Sequence, residues 1–280
     1  MSTATPRQAD EHVALIRPSV GWVPIQFDEI WRYRELFAFL AWRDIKVRYK
    51  QTAFGVTWAV GQPLLGMLVF TVLFGRLAKI GTGATPYALF AYSGLVLWNL
   101  FSNSLGQAST SLVSNVHLVS KIYFPRFALP TASVLSYVVD FVVSFLLLLV
   151  LIAVYGVGFR PTLAVAPLFA LLVLFVCLGA GFILAALAAR YRDVKFALPF
   201  LIQIWFFTVP IVYPASLFKH WQTLYSCNPM VGPIEAFRWA VFGGPFPWLS
   251  FLVSVGVTIV IFLGGAYYFK RVERTFADVI

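Results

Sequence analysis

Charge is what this chain has least of. Only 11% of its 280 residues are Asp, Glu, Lys or Arg, against about a quarter in an ordinary soluble domain. Cysteine is nearly absent: Cys177 and Cys227 are the two present, too few for a disulfide framework, and both read as packing residues. The three histidines, His12, His117 and His220, have no companions at metal-ligand spacing, which argues against a metal centre. No GxxxxGK[ST] phosphate loop occurs, so ATP binding of the P-loop kind is excluded for this chain. No nucleophile stands at readable spacing from a base, so the chain is not expected to be an enzyme. No internal repeat is visible, and Asp140 is the one acidic residue well inside a long apolar run; secondary transporters usually carry several intramembrane ionisable groups.

What remains is hydrocarbon-compatible sequence. Hydrophobic residues make up 60% of the chain and aromatic ones 18%, and the mean hydropathy is +0.84. A water-soluble fold of this length cannot hide so much apolar surface, whereas lipid can solvate it. Six stretches are long enough to cross a bilayer: 58–78, 86–109, 129–155, 161–189, 196–213 and 248–269. The fold class that follows is an all-α polytopic membrane protein with six transmembrane helices. It is expected to be one transmembrane domain over 1–280, with a cytoplasmic segment 1–57, a six-span bundle 58–269 and a tail 270–280.

Lys and Arg set the orientation. Sixteen of the 21 fall in the N-terminal segment, the second-to-third and fourth-to-fifth loops, and the tail; five (Arg76, Lys79, Arg160, Lys219 and Arg238) fall on the other side. The positive-inside rule then puts both termini in the cytoplasm. The net charge of +10 is therefore mostly topology, with anionic lipid as its partner and no nucleic acid implied. Residues 1–27 lack a continuous apolar core and include Asp10 and Glu11, so no cleavable signal peptide is expected and the first span is expected to act as the insertion signal.

Two segments outside the spans carry further patterns. In 28–50, Asp28-Glu29 signals a helix start, and Ile30, Tyr33, Phe37, Leu40 and Ala41 share one arc opposite Arg32, Glu35, Arg43 and Lys46, with Phe39 and Arg34 out of place. An amphipathic interface helix on the cytoplasmic leaflet fits, with Trp31, Trp42 and Tyr49 at headgroup level; the competing reading packs it on the protein's own cytoplasmic face. Residues 214–247 are aromatic yet broken by Pro214, Pro229, Pro233, Pro245 and Pro247. Short re-entrant helices entering from the outer side fit, with Glu235 and Arg238 spaced to pair; a simple interfacial hairpin competes. Asp140, expected near mid-bilayer, is assigned to helix packing with Ser136, Tyr137 and Ser144, over a place on a polar path.

Four stretches, taken in order, resemble one family. WRDIKVRYKQTAFGVTWAVGQPLLGMLVFTVLFG (42–75), SNVHLVSKIYFPRFALP (114–130), RYRDVKFALPFLIQIWFFTVPIVYP (190–214) and CNPMVGPIEAFRW (227–239) are similar to permease subunits of ABC transporters that export bacterial surface polysaccharides. The nearest pattern is that of O-antigen and teichoic acid exporters, with capsule exporters more distant. The resemblance implies a homodimer in the bacterial inner membrane, working with two copies of an ATP-binding cassette subunit. ATP and Mg would be bound by that partner, with no cofactor in this chain. The implied substrate is a lipid-linked polysaccharide on a polyprenyl diphosphate, moved outward. It further implies a coupling helix within 115–127, with His117, Lys121, Tyr123 and Arg126 facing the ATPase. Arg43, Lys46, Arg48 and Lys50 would lie near the lipid diphosphate, and Phe70, Phe74, Trp205, Phe206 and Tyr213 would line the glycan channel. The rivals from other classes are an ATP-independent secondary transporter or lipid-linked sugar flippase, and a membrane-embedded enzyme of polyprenyl-linked sugars.

Overall fold

The computed structural model describes residues 33–50, 55–83, 85–121, 124–273 and 276. Among these the chain is helical, without strands, as backbone in a lipid phase must be when no barrel closes. Helix α1 runs Arg34–Lys50 and α2 Gly55–Phe70, continuing as a π-helical turn over Thr71–Leu77. Next come α3 (Tyr87–Ser114), α4 (Val116–Lys121), α5 (Ala128–Ser136) and α6 (Val138–Val154). A 3₁₀ turn, Pro161–Val165, leads into α7 (Ala166–Arg190), followed by α8 (Val194–Phe206). A second 3₁₀ turn (Ala215–Trp221) and α9 (Gln222–Ser226) precede α10 (Val231–Phe242) and α11 (Trp248–Val272).

Among the described residues, four helices are long and apolar enough to cross a membrane: Trp58–Leu77, Ala128–Val154, Pro161–Arg190 and Trp248–Val272. The two other expected spans differ for physical reasons. Helix α3 has 28 residues, about 42 Å, but carries many polar side chains because protein surrounds it. Leu89, Tyr92, Leu97, Phe101 and Leu112 are all fully buried, and the hydroxyls of Ser93, Ser109 and Ser111 turn back onto carbonyls one turn earlier. Helix α8 has 13 residues and ends at Phe206, short of the expected 213; the chain from 207 to 213 is a series of turns.

Two cores hold the bundle. The larger gathers α3, α6, α7 and α10 around residues such as Tyr92, Phe101, Val173 and Phe237. The second gathers Phe37 and Leu40 of α1, Val119 of α4, Leu129 of α5, Phe182 of α7, and Phe269 with Phe276. The arc of α1 expected to lie on the leaflet is thus seated on the protein itself: Phe37 and Leu40 are buried there, and Tyr33 and Ala41 pack alongside. Phe39, Trp42 and Val47, each more than half exposed, form its outer face with Lys46 and Lys50. The competing reading of this segment is the one the contacts support; Ile30, Trp31 and Arg32 lie outside the described residues.

The third span is two helices joined at Tyr137, and this shifts the expected depth of Asp140. Ser144, one turn beyond Asp140, donates its hydroxyl to the carbonyl of Ala59 at 3.3 Å. Asp140 therefore lies about one turn from the level of Ala59, near the start of the first span.

Candidate functional site: an aromatic seam, a cytoplasmic projection and a buried arginine clamp

Helices α2 and α8 meet along rings. Phe70 stacks on Phe206 with centroids 5.6 Å apart, and Phe74 meets Phe70 edge-on at 6.0 Å. Trp98 reaches Phe206 at 5.4 Å and Phe101 reaches Trp205 at 4.9 Å, both edge to face. Offset and edge-on geometries of this kind add to burial because a ring's positive edge meets a negative face. Of the five rings proposed for a channel, Phe70, Phe74, Trp205 and Phe206 join one seam, all half-buried. Tyr213 stands apart, donating its hydroxyl to the carbonyl of Phe207 at 2.5 Å. Trp98 and Phe101 were not expected; both sit on α3, whose polar composition drew attention away from its rings.

Beyond the seam lies an open pocket of about 520 Å³ edged by Trp205, Thr208, Trp221, Tyr225 and Asn228. The Trp205 indole N–H donates to Asn228 Oδ1 at 3.1 Å, while the Asn228 amide donates to Thr208 Oγ1 at 3.0 Å. Three rings, the Asn228 amide and the Thr208 hydroxyl thus share this wall.

Arg238 of α10 holds the irregular backbone that follows α8. It is 9% exposed and donates to Phe90 O at 3.0 Å, to Ile211 O at 3.1 Å, to Pro210 O, and to Ser93 Oγ at 3.4 Å. Its guanidinium carbon lies 3.5 Å from the Phe90 ring centroid. Glu235, the expected partner, acts on the cation electrostatically, while the hydrogen-bond acceptors are three carbonyls and the Ser93 hydroxyl. Carbonyls freed where α8 stops must find donors in a dry environment, and the planar guanidinium fork supplies several at once. Gly94 makes room: a Cβ there would stand 2.9 Å from Arg238 Nη2 and 3.2 Å from Ile211 Cα.

On the opposite end, α4 ends in a cationic projection. His117 and Lys121 are exposed, whereas Val119 faces the second core. Tyr123 lies outside the described residues. Arg126 turns inward: its main-chain N–H donates to Glu273 Oε1 at 3.0 Å and Nη1 donates to the carbonyl of Glu273 at 2.6 Å. Glu273 also pairs with Lys270 at 3.2 Å. The loop and the end of α11 are thereby one unit.

The four cations of α1 divide in the same way. Arg48 pairs with Asp140 Oδ2 at 2.9 Å, donates to Ser136 Oγ at 2.8 Å, and covers the Tyr137 ring at 3.5 Å. The Tyr49 hydroxyl also donates to Asp140. Burial, and next the Asp140 carboxylate, push that phenol above its ordinary range, which keeps it a donor. Asp140 is thus a packing group, as expected, but its main partners come from α1, with Ser136 and Tyr137 on the Arg48 side. Arg43 pairs with its neighbour Asp44 at 2.8 Å. Lys46 and Lys50 remain exposed, beside Phe39, Trp42 and Val47 around a shallow pocket of about 330 Å³.

The described residues form a helical bundle of membrane-spanning character with an aromatic seam and a basic projection. The chain belongs to the ABC-2 type transporter family, which it matches over residues 35–242. It is 29% identical over 256 residues to the O-antigen export system permease protein RfbA of Myxococcus xanthus, covering 90% of this chain and 98% of that one. It is 25% identical to the protein of the same name from Klebsiella pneumoniae, covering 88% and 95%. It is also 25% identical to the polysialic acid transport protein KpsM of Escherichia coli, covering 82% and 91%. The family named on the four motif stretches is the one these comparisons return.

Proposed function

We propose that this chain is the transmembrane subunit of an ATP-driven exporter that moves a polyprenyl-diphosphate-linked polysaccharide from the cytoplasmic to the outer side of the inner membrane. The observation that carries this reading is the end-to-end correspondence with permeases named for O-antigen export, 98% of whose length is covered in one case. In this reading α3 and α8 complete six spans, both termini are cytoplasmic, and α9 and α10 are re-entrant from the outer side. Two copies pair across α2 and α8, whose outer faces (Leu65, Leu68, Val72; Phe196, Phe200, Ile204) are exposed and apolar, and the aromatic seam lies beside the path of the glycan. An O-antigen type of glycan is preferred, with teichoic acid the variant.

The motor is a separate ATP-binding cassette subunit, two per complex, that binds ATP and Mg. His117 and Lys121 on α4 dock on it, and Arg126 transmits the load to α11 through Glu273. Lys46 and Lys50, with Arg43, draw the lipid diphosphate to the leaflet surface, because clustered cations attract an anion there. Reconstitution of the purified chain with its ATPase in vesicles tests this. Transport should need both subunits and ATP, and Lys121→Glu should lower assembly and stimulated ATP turnover together. Full-rate transport by this chain alone would favour the ATP-independent flippase and end the proposal.

A further inference from the structure

A second cavity, of about 520 Å³, lies where α1 ends, beside the start of α2, two to three turns before the rings of the aromatic seam. Arg48, Trp58, Gln62, Asn99, Asn103 and Asp140 are among the residues that line it. The carboxamides of Gln62, Asn99 and Asn103 have no hydrogen-bond partner among the described residues, although Asn99 and Asn103 are largely enclosed. Gln62 lies one turn inside the first span, on the same helix as Trp58. Gln62 is exposed and Asn99 and Asn103 are half-buried, so their carboxamides stay open to the cavity and give its wall unused donors and acceptors.

The chemistry of the wall selects the kind of ligand. Arg48 and Asp140 neutralise one another at 2.9 Å, so the cavity offers no net charge to a bare anion. A carboxamide presents donor and acceptor together, which matches hydroxyls that both give and accept protons. Trp58, 65% exposed, adds an apolar face at the level where the span starts, and Lys50, next to Tyr49, remains outside as a cation. We propose that this cavity binds the polyhydroxyl headgroup of a membrane lipid of the cytoplasmic leaflet: glycerol or a sugar within, with any phosphate it carries held outside at Lys50. The cavity is distinct from the α2–α8 seam and shares only Lys50 with the leaflet-surface cations of the export reading.

The test uses the full-length wild-type protein in nanodiscs of phosphatidylethanolamine with equal minor fractions of phosphatidylglycerol and a monoglucosyl diacylglycerol. Lipids that stay with the protein on mild extraction are counted by mass spectrometry. Enrichment of the glucolipid assigns the site to a sugar, and enrichment of phosphatidylglycerol that falls in Asn103→Leu assigns it to a glycerol headgroup; either supports the proposal. Phosphatidylglycerol enrichment alone, unchanged in that variant, is charge attraction and overturns it. Retention in bilayer proportions overturns it and leaves a water-filled cavity. Gln62→Leu and Asn103→Leu should each cut the enrichment about three- to tenfold, the worth of one hydrogen bond. Undiminished enrichment in both folded variants would overturn the site as drawn, and the wild-type glucolipid arm stands even if a variant fails to fold.

Discussion

Replacing Arg238 by methionine keeps most of the side-chain volume and removes every donor. Two opposing effects then compete. The carbonyls of Pro210 and Ile211 lose the guanidinium that bonds them, and an orphaned buried acceptor costs about 1–3 kcal/mol. Phe90 O is spared, since the Ser93 hydroxyl also donates to it at 2.9 Å. Against this, the variant no longer buries a cation, and replacing buried ionic groups by apolar ones can be neutral or stabilising. With two orphans the carbonyl side should win, by about 3 kcal/mol after the offset. That corresponds to a fall of roughly 6–12 °C in the unfolding midpoint. The chain contains its own reporter: Cys227 is exposed and Cys177 buried. With Cys227 blocked first, a fluorogenic maleimide reads Cys177 as the bundle opens on heating. Arg238→Lys, a single point donor in place of a fork, should recover less than half of the loss. A midpoint at or above wild type for Arg238→Met would refute the reasoning, because it would mean that cation burial and not carbonyl satisfaction dominates.

The same assay separates two further expectations. Arg48→Ala leaves Asp140 without its cation, so it should destabilise more than the double variant Arg48→Ala/Asp140→Asn; equal or greater loss in the double variant would mean that the pair contributes nothing as a pair. Gly265→Ala should destabilise by about 1–3 kcal/mol, because its Cβ would overlap the Gly179 carbonyl oxygen, a backbone atom that cannot swing aside. Gly264→Ala, with nothing within 4 Å of its Cβ, is the control and should be neutral or slightly stabilising.

The class of this fold was legible because hydropathy and the distribution of Lys and Arg report directly on a lipid solvent. Four of the long apolar runs became helices of spanning length for the same reason. What the pattern could not give is where protein replaces lipid as the neighbour. Helix α3 reads as a weak span because its serines face protein and Asn99 and Asn103 face a cavity, and α1 reads as a leaflet helix although Phe37 and Leu40 have a protein seat. Period and composition score a buried face alike whether lipid or a second core covers it. Asp140 was visible as a costly carboxylate, but Arg48 lies 92 positions away, and no local spacing rule reaches that far. Arg238 was paired on paper with Glu235 by helical spacing; the carbonyls that hold it come from turns that hydropathy had counted as part of a straight span.

Packing is uneven, and that decides where movement is cheapest. Between α7 and α11 the backbones touch at Gly179 and Gly265, and the end of α11 is tied to the α4–α5 loop through Glu273 and Arg126. The first span has only 11% of its most apolar window buried, and α8 buries Leu198 alone. Sub-ångström changes in a close-packed contact are resisted, whereas thinly packed helices shift at little cost. A load arriving at α4 should therefore displace the α7–α11 body as a unit, and the seam at Phe70 and Phe206 should be what parts. With Cys177 and Cys227 replaced by serine, cysteines introduced at 70 and 206 and joined by a short bifunctional thiol reagent should abolish transport while ATP turnover persists. Release of the link by reduction should restore transport. Transport at the unlinked rate with the seam closed would place the moving boundary elsewhere.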